Sequence, residues 1–123
     1  MHHPPIVTSS EVMALVELVN PAELVPVLTG SDVRLILSGH MHHSGTAALA
    51  GIPIAVANGV GYASDPLFDH LGYRGMVGGQ SFNLIEVFPD QVVTKVVPVD
   101  QYPTLHQITV DQLAAELGRD AGA

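Results

Sequence analysis

Two histidines flank a methionine directly after a glycine, Gly39-His40-Met41-His42, and a second pair opens the chain in His2-His3-Pro4-Pro5. Neutral imidazole is among the commonest metal ligands, and His2, His3, His40, His42 and His43 all fall in these two patches. A lone histidine is more often a structural or surface residue than a ligand. Affinity grows as ligands converge, so the two patches together read as half of a two-metal hydrolytic site. His40 and His42 leave a strand on a turn, where a spacing of two can reach neighbouring ions or share one; a helical pair would need three or four. Gly39 suits a sharp backbone turn close to an ion. His3 is ambiguous, since one member of an adjacent pair normally points into a site when the chain is extended. His43 reads as a support to the ligands or as solvent-facing, and His70 and His106 as isolated surface residues. Asp65, Asp69 and Asp100 carry carboxylates that can ligate, but the first two read as caps of a glycine-rich loop and the third as a strand end.

The secondary structure around these residues is read from periodicity. Pro4 and Pro5 hold the opening residues extended. Val12, Leu15, Val16 and Val19 recur at helical spacing and predict a helix from about Ser10 to Val19. A second helix is expected from Asn20, with Pro21 at its first position, Glu23 completing a capping pattern, Pro26 bending it and Gly30 ending it. Val33 to Ser38 reads as a buried strand that delivers the chain to Gly39. Thr46–Ala50 and Ile52–Ala57 read as strands with a turn near Gly51, and 58–79 as a long glycine-rich loop. Phe82–Phe88 and Val92–Val99 form an expected hairpin around Pro89-Asp90. Thr109 caps a last helix through Leu117, with Gln112 in the capping-box position.

With 123 residues the chain fits one modest domain. It is 47% hydrophobic and only 13% charged, with mean hydropathy +0.35, so much apolar surface must find a partner. No stretch is long and unbroken enough for a transmembrane helix, and the opening residues lack the pattern of a secretory signal. The net charge of −8 and four scattered cations (Arg34, Arg74, Lys95, Arg119) argue against a long nucleic-acid partner, which needs a basic stripe. A small anion held by metal ions remains compatible, because the ions bring their own charge. The absence of cysteine excludes disulfides, thiolate metal sites and cysteine nucleophiles, and fits a cytoplasmic location.

Taken together, His2-His3-Pro4-Pro5, the helical span, Val33–Leu37 and Gly39-His40-Met41-His42 resemble the C-terminal half of calcineurin-like metallophosphoesterases. Within these the chain is most similar to bacterial class III cyclic nucleotide phosphodiesterases. The similarity continues through Gly51-Ile52-Pro53, Asn83-Leu84 and Pro89-Asp90, and so covers most of residues 1–100. The resemblance implies an α/β fold with mixed sheets, part of a four-layer αββα sandwich, with 101–123 as an extension bearing a short helix. By motif position it implies that His2 and His40 bind one metal and His42 the other. The ions would be iron paired with manganese, zinc or a second iron. It further implies attack on phosphorus by a metal-bridging hydroxide, on a cyclic nucleotide or another small phosphodiester.

The chain departs from that family in lacking the N-terminal motifs Asp-X-His, Gly-Asp-X-X-Asp and Gly-Asn-His, which include the bridging aspartate and the phosphate-contacting pair. The expectation is therefore a C-terminal portion lacking the N-terminal half. Its apolar excess would then be sheet surface that covers itself with that missing half or with a second copy in a homo-oligomer. The rival expectation is a catalytically inactive remnant or interaction module that keeps part of the fold and at most a weak single-metal site.

Overall fold

The computed structural model describes residues 1–118 and has an α/β architecture of short helices and small sheets. The centre is a three-stranded sheet of β1 (Ile36–Ser38), β2 (Gly45–Leu49) and β3 (Ile52–Val56), in the order β1-β3-β2. β1 runs parallel to β3, with Ile36 opposite Ile54 and Ser38 opposite Val56. β2 runs antiparallel to β3, with Leu49 opposite Ile52. Ala50 and Gly51 join them with φ of 52° and 79°. Two consecutive positive φ values match the right-handed twist of the flanking strands, which explains why the turn falls where glycine was expected to allow it.

Alternation sorts this sheet into two faces. Ile36, Ile52, Ile54 and Val56 share one face and pack with Met41 as the buried core, against which Ile6, Met13, Leu28 and Leu49 lie. The N-terminal segment and the helical turns therefore cover this face. The opposite face carries Leu37, Pro53 and Ala55. It looks across two clefts toward a hairpin of β6 (Ser81–Val87) and β7 (Val92–Pro98). One cleft is lined by Leu35, Leu37, Ile85, Val87 and Val92, the other by Thr46, Ala55, Asn83, Thr94 and Val96. Arg34 spans the layers by donating to the Phe88 carbonyl at 2.7 Å.

The helical span is shorter than its periodicity predicts. Only α1 (Glu11–Ala14) forms, capped by the Ser10 hydroxyl at 3.3 Å from the Met13 amide. Leu15 and Val19 are 85% and 80% exposed, so most of the stripe that should prolong the helix is left uncovered. Packing of an apolar face supplies most helical stability in proteins, and β-branched residues add none of their own. Beyond it, Pro21–Leu24 forms a 3₁₀ turn and α2 (Val25–Leu28) a single α turn. Asn20 makes no side-chain cap; it is itself left-handed at φ 55°. Pro26 lies in the first turn of α2, where a missing N–H is harmless, and Gly30 at φ 75° ends the segment.

The expected loop 58–79 contains structure of its own. β4 (Ala63–Ser64) pairs antiparallel with β5 (Gly75–Met76). Asp65 and Asp69 accept hydrogen bonds from the Leu67 and Leu71 amides at 2.9 and 3.0 Å, the capping roles expected of them. The Asp65–Arg74 ion pair closes the loop, with Arg74 also lying over the Phe68 ring. Toward the C-terminus α3 (Val110–Leu117) begins with the reciprocal Thr109–Gln112 capping box. Residues 119–123, including Arg119 and the end of the expected extension, lie outside the described residues.

The accessible surface is 8725 Å², whereas a compact monomer of 12.9 kDa exposes about 6,300 Å². The excess is partly the hairpin's outer face. Phe82 and Leu84 are exposed there beside the Lys95–Glu86 ion pair. No described helix is long and apolar enough to cross a membrane.

Candidate metal centre

The C-terminal end of β1 and the opening segment meet through backbone hydrogen bonds. The Met1 nitrogen donates to the Leu37 carbonyl at 2.9 Å, and the Gly39 amide donates to the His2 carbonyl at 3.0 Å. Pro4 is fully buried and anchors the opening segment against the fold. These contacts lay His2 and His3 beside the turn that carries His40.

That turn is tight. The Met41 amide donates to the Gly39 carbonyl at 2.8 Å, and His40 between them has φ 69°. A bond spanning two residues around a positive-φ centre is the mark of a γ-turn, a strained conformation for a residue with a side chain. His42 is left-handed too, at φ 54°. Sparsely populated backbone states of this kind cost on the order of 1–3 kcal/mol each and persist only where the surroundings hold them. Gly39, expected to make the sharp turn, has no such φ; the strain sits on the two histidines instead. Met41, only 3% exposed, is the plug between them. Its carbonyl accepts from the Ser64 hydroxyl at 2.8 Å, and the His42 carbonyl accepts from the Ser64 amide.

His2, His3 and His40 converge. Their ring centroids are 4.1 to 4.9 Å apart, and each offers a nitrogen within 4.8 Å of the others. His40 Nε2 lies 2.9 Å from the Val16 carbonyl, and its Nδ1 lies 3.2 Å from His2 Nε2. A carbonyl can only accept, so Nε2 carries the proton and Nδ1 presents its lone pair. Metal-ligating histidines are commonly oriented in this way by a carbonyl on the far nitrogen. With Nδ1 as acceptor, His2 Nε2 donates to it at 3.2 Å; once that proton is lost, the separation is close to the distance of about 3.3 Å between two nitrogens of one tetrahedral ion. Burial, then the neighbouring His3, holds the His40 pKa below its usual value, with His2 and His42 adding to this and the Val16 carbonyl opposing it. The ring is accordingly neutral near pH 7, the form that ligates.

His42 lies in a separate setting. Its ring stacks on Tyr62, centroids 4.0 Å apart and 21° from parallel, and its Nδ1 is 3.1 Å from the Tyr62 carbonyl. Nδ1 therefore carries the proton, leaving Nε2 as the free lone pair. Gly59 is required here, since a Cβ would meet both His42 Nδ1 and the Tyr62 oxygen at 2.5 Å. Tyr62 in turn contacts Tyr73, whose pKa is pushed up to about 12 by burial and then by its hydrogen bond to Tyr62.

Of the three ligands expected from sequence, His2 and His40 are together and His42 stands apart from their group; His3 takes the third place in it. His43 contacts the Ser44 carbonyl at 3.3 Å, and His70 pairs with Asp69 at 3.4 Å. Among the described residues no carboxylate joins the cluster. Tyr62 and Gly59 escaped sequence reasoning because only the folded loop returns them to His42. The cations of the described region are engaged elsewhere: Arg34 on Phe88, Arg74 on Asp65 and Lys95 on Glu86.

No protein-family profile matches the chain. It is 41% identical over 118 residues to a probable cyclic nucleotide phosphodiesterase of Rhodococcus erythropolis, a span covering 95% of this chain and 39% of that protein. It is 44% identical over 99 residues to a cAMP/cGMP dual specificity phosphodiesterase of Mycobacterium tuberculosis, covering 80% of this chain and 31% of that protein. The chain thus spans 39% of the length of the first relative and 31% of the second.

Proposed function

We propose that this chain belongs to a metal-dependent phosphodiesterase of the calcineurin-like type that hydrolyses a cyclic nucleotide or a similarly small phosphodiester. The observation that carries the reading is the presentation of the His40 lone pair to His2 Nε2 at 3.2 Å, with the far nitrogen held by Val16. The similarity to two proteins named as cyclic nucleotide phosphodiesterases supports the substrate class.

The chemistry also supports the reading. A phosphodiester is anionic and repels nucleophiles, and Arg34, Arg74 and Lys95 are occupied elsewhere. Metal ions bound by the histidines would supply the missing positive charge and make water more acidic. The protein's own part is orientation. His2 and His40 offer nitrogens at the end of β1, the Val16 carbonyl fixes the His40 tautomer, and the Tyr62 carbonyl and ring hold His42 with Nε2 unprotonated. Groups outside the described residues would complete the site, since no described carboxylate reaches the cluster.

The test is hydrolysis of cAMP, cGMP and a chromogenic phosphodiester, with Mn²⁺, by the purified full-length protein that carries this chain and the groups completing its site. Activity that His40→Ala and His42→Ala abolish, and that the distant His70→Ala leaves unchanged, is the expected result. A folded, metal-supplemented protein that hydrolyses none of the three, or whose activity survives His40→Ala, would overturn the proposal.

A further inference from the structure

We infer that the cavity between the opening segment and the 63–75 loop is a subsite for a purine base, the uncharged part of a cyclic nucleotide. The identity of the ring rests on the proposed phosphodiesterase reading; the cavity and its chemistry do not. None of the histidines assigned to metal lines it.

The cavity measures about 190 Å³ and lies beyond the carboxyl ends of the parallel strands β1 and β3, where open α/β sheets bind ligands. Drug-sized ligands fill about 300–1,000 Å³, so it takes one ring system and leaves the rest of a nucleotide outside. Its two walls are tied together, because the Glu11 amide donates to the His70 carbonyl at 2.9 Å. The cavity also adjoins the histidine turn. Met41 and His43 line it, alternating along the chain with His40 and His42. Across the loop, Tyr73 of the cavity wall bonds to Tyr62, whose ring stacks on His42. A ligand whose phosphate meets the histidines thus has this cavity as a neighbour.

The lining selects a flat, neutral ring. Phe68 and Tyr73 supply aromatic surface, on which any base stacks, and Ile6, Met13 and Met41 add apolar contact. Phe68 is held by Arg74, 5.0 Å from its ring centre, and by Gly72, where a Cβ would come within 2.7 Å of Phe68 Cε1. Among the described residues no lysine or arginine lines the cavity, and the nearby Arg74 is taken by Asp65, so nothing there draws a phosphate. Polar groups match the edge of a purine instead. The Thr8 and Ser10 hydroxyls accept from the Ser10 and Met13 amides at 3.2 and 3.3 Å, which leaves their own protons for ring nitrogens to accept. His43 Nδ1 lies 3.3 Å from the Ser44 carbonyl, which can only accept, so Nε2 is the acceptor for an exocyclic amino group.

The test is equilibrium dialysis of adenosine against the metal-free full-length protein that carries this chain, with ribose 5-phosphate as a competitor that lacks the base. Adenosine is expected to bind, and ribose 5-phosphate not to displace it. Phe68→Leu removes an aromatic wall and Ser9→Trp fills the mouth from an exposed position; each should weaken adenosine by about tenfold. Leu105→Ala, on a fully exposed side chain outside the cavity, should leave binding unchanged. Circular dichroism checks that each variant is folded, and Ser9→Trp tests the cavity even where loss of the Phe68 ring unsettles the loop. Absence of adenosine binding, equal binding in folded Ser9→Trp, or displacement by ribose 5-phosphate would overturn the inference. Because the readout involves neither metal nor hydrolysis, its failure leaves the phosphodiesterase reading standing. Bound adenosine without hydrolysis of any diester would overturn that reading alone.

Discussion

His40 and His42 are two residues apart, both left-handed, and each has one ring nitrogen bonded to a backbone carbonyl, yet they belong to different neighbourhoods. On the His40 side the partners are other imidazoles, brought in by the opening segment docking beside β1. On the His42 side the partner is a tyrosine, brought back by a loop that a two-strand ladder and one ion pair hold together. The first arrangement gathers three imidazoles, with His40 Nδ1 accepting from His2 Nε2; the second buries one ring face on an aromatic and leaves one nitrogen without a bond to the Tyr62 carbonyl. Motif position assigns the two histidines to different ions, and in the fold each has different nearest neighbours.

Met41 divides the two sides, so its removal should damage both. Met41→Ala deletes a 3% exposed side chain from the core and should cost about 2–5 kcal/mol, read in urea unfolding. If the loss is well under 1 kcal/mol, the two sides are not mechanically joined through the core. Gly59→Ala is the sharper cut. Its Cβ would clash with His42 Nδ1 and the Tyr62 oxygen, so a destabilisation of about 1–3 kcal/mol is expected. The His42 imidazole resonances should shift strongly in NMR spectra while those of His40 stay in place. Equal disturbance of both would erase the distinction between the sides.

Tyr62→Ala removes the stack but keeps the backbone carbonyl, and should cost roughly 1 kcal/mol beyond the buried area lost. The His42 resonances should broaden without a change in tautomer, visible in nitrogen chemical shifts. Smallest of all is an acid effect on the loop. Hydrogen bonds from Arg74 and then the Leu67 amide hold the Asp65 carboxyl below its ordinary value of 3.8. A carboxyl with a depressed folded pKa contributes stability that is complete above about pH 3.8 and lost as pH falls through its folded value. Resonances of Tyr73 and Phe68 should therefore change below that pH, and Asp65→Asn should remove the dependence. A loop indifferent to both changes would be held by its ladder and not by its ion pair.

Some of this organisation is legible along the chain because its causes are local. The hairpin of β6 and β7, the Ala50–Gly51 turn and the Thr109–Gln112 box are each specified by residues within a few positions of one another. The Asp65 and Asp69 turns are of the same kind. The helix expected over Ser10–Val19 was not legible, because periodicity states which face could be buried and not whether anything arrives to bury it. Val16 illustrates the difference: its side chain is exposed, while its carbonyl reaches His40.

Residue order alone sets the side-chain types for metal ligation, the strand that delivers them, an α/β arrangement and the absence of thiol chemistry. Which imidazoles meet is settled only in three dimensions. Docking of His2 on Gly39, the bend at His3 and the positive φ of His40 gather one group, and the return of Tyr62 takes His42 into another. The cause is range. Turns and caps are settled by bonds between near neighbours, whereas convergence of side chains distant in sequence depends on strained backbone states that only the packed fold can hold.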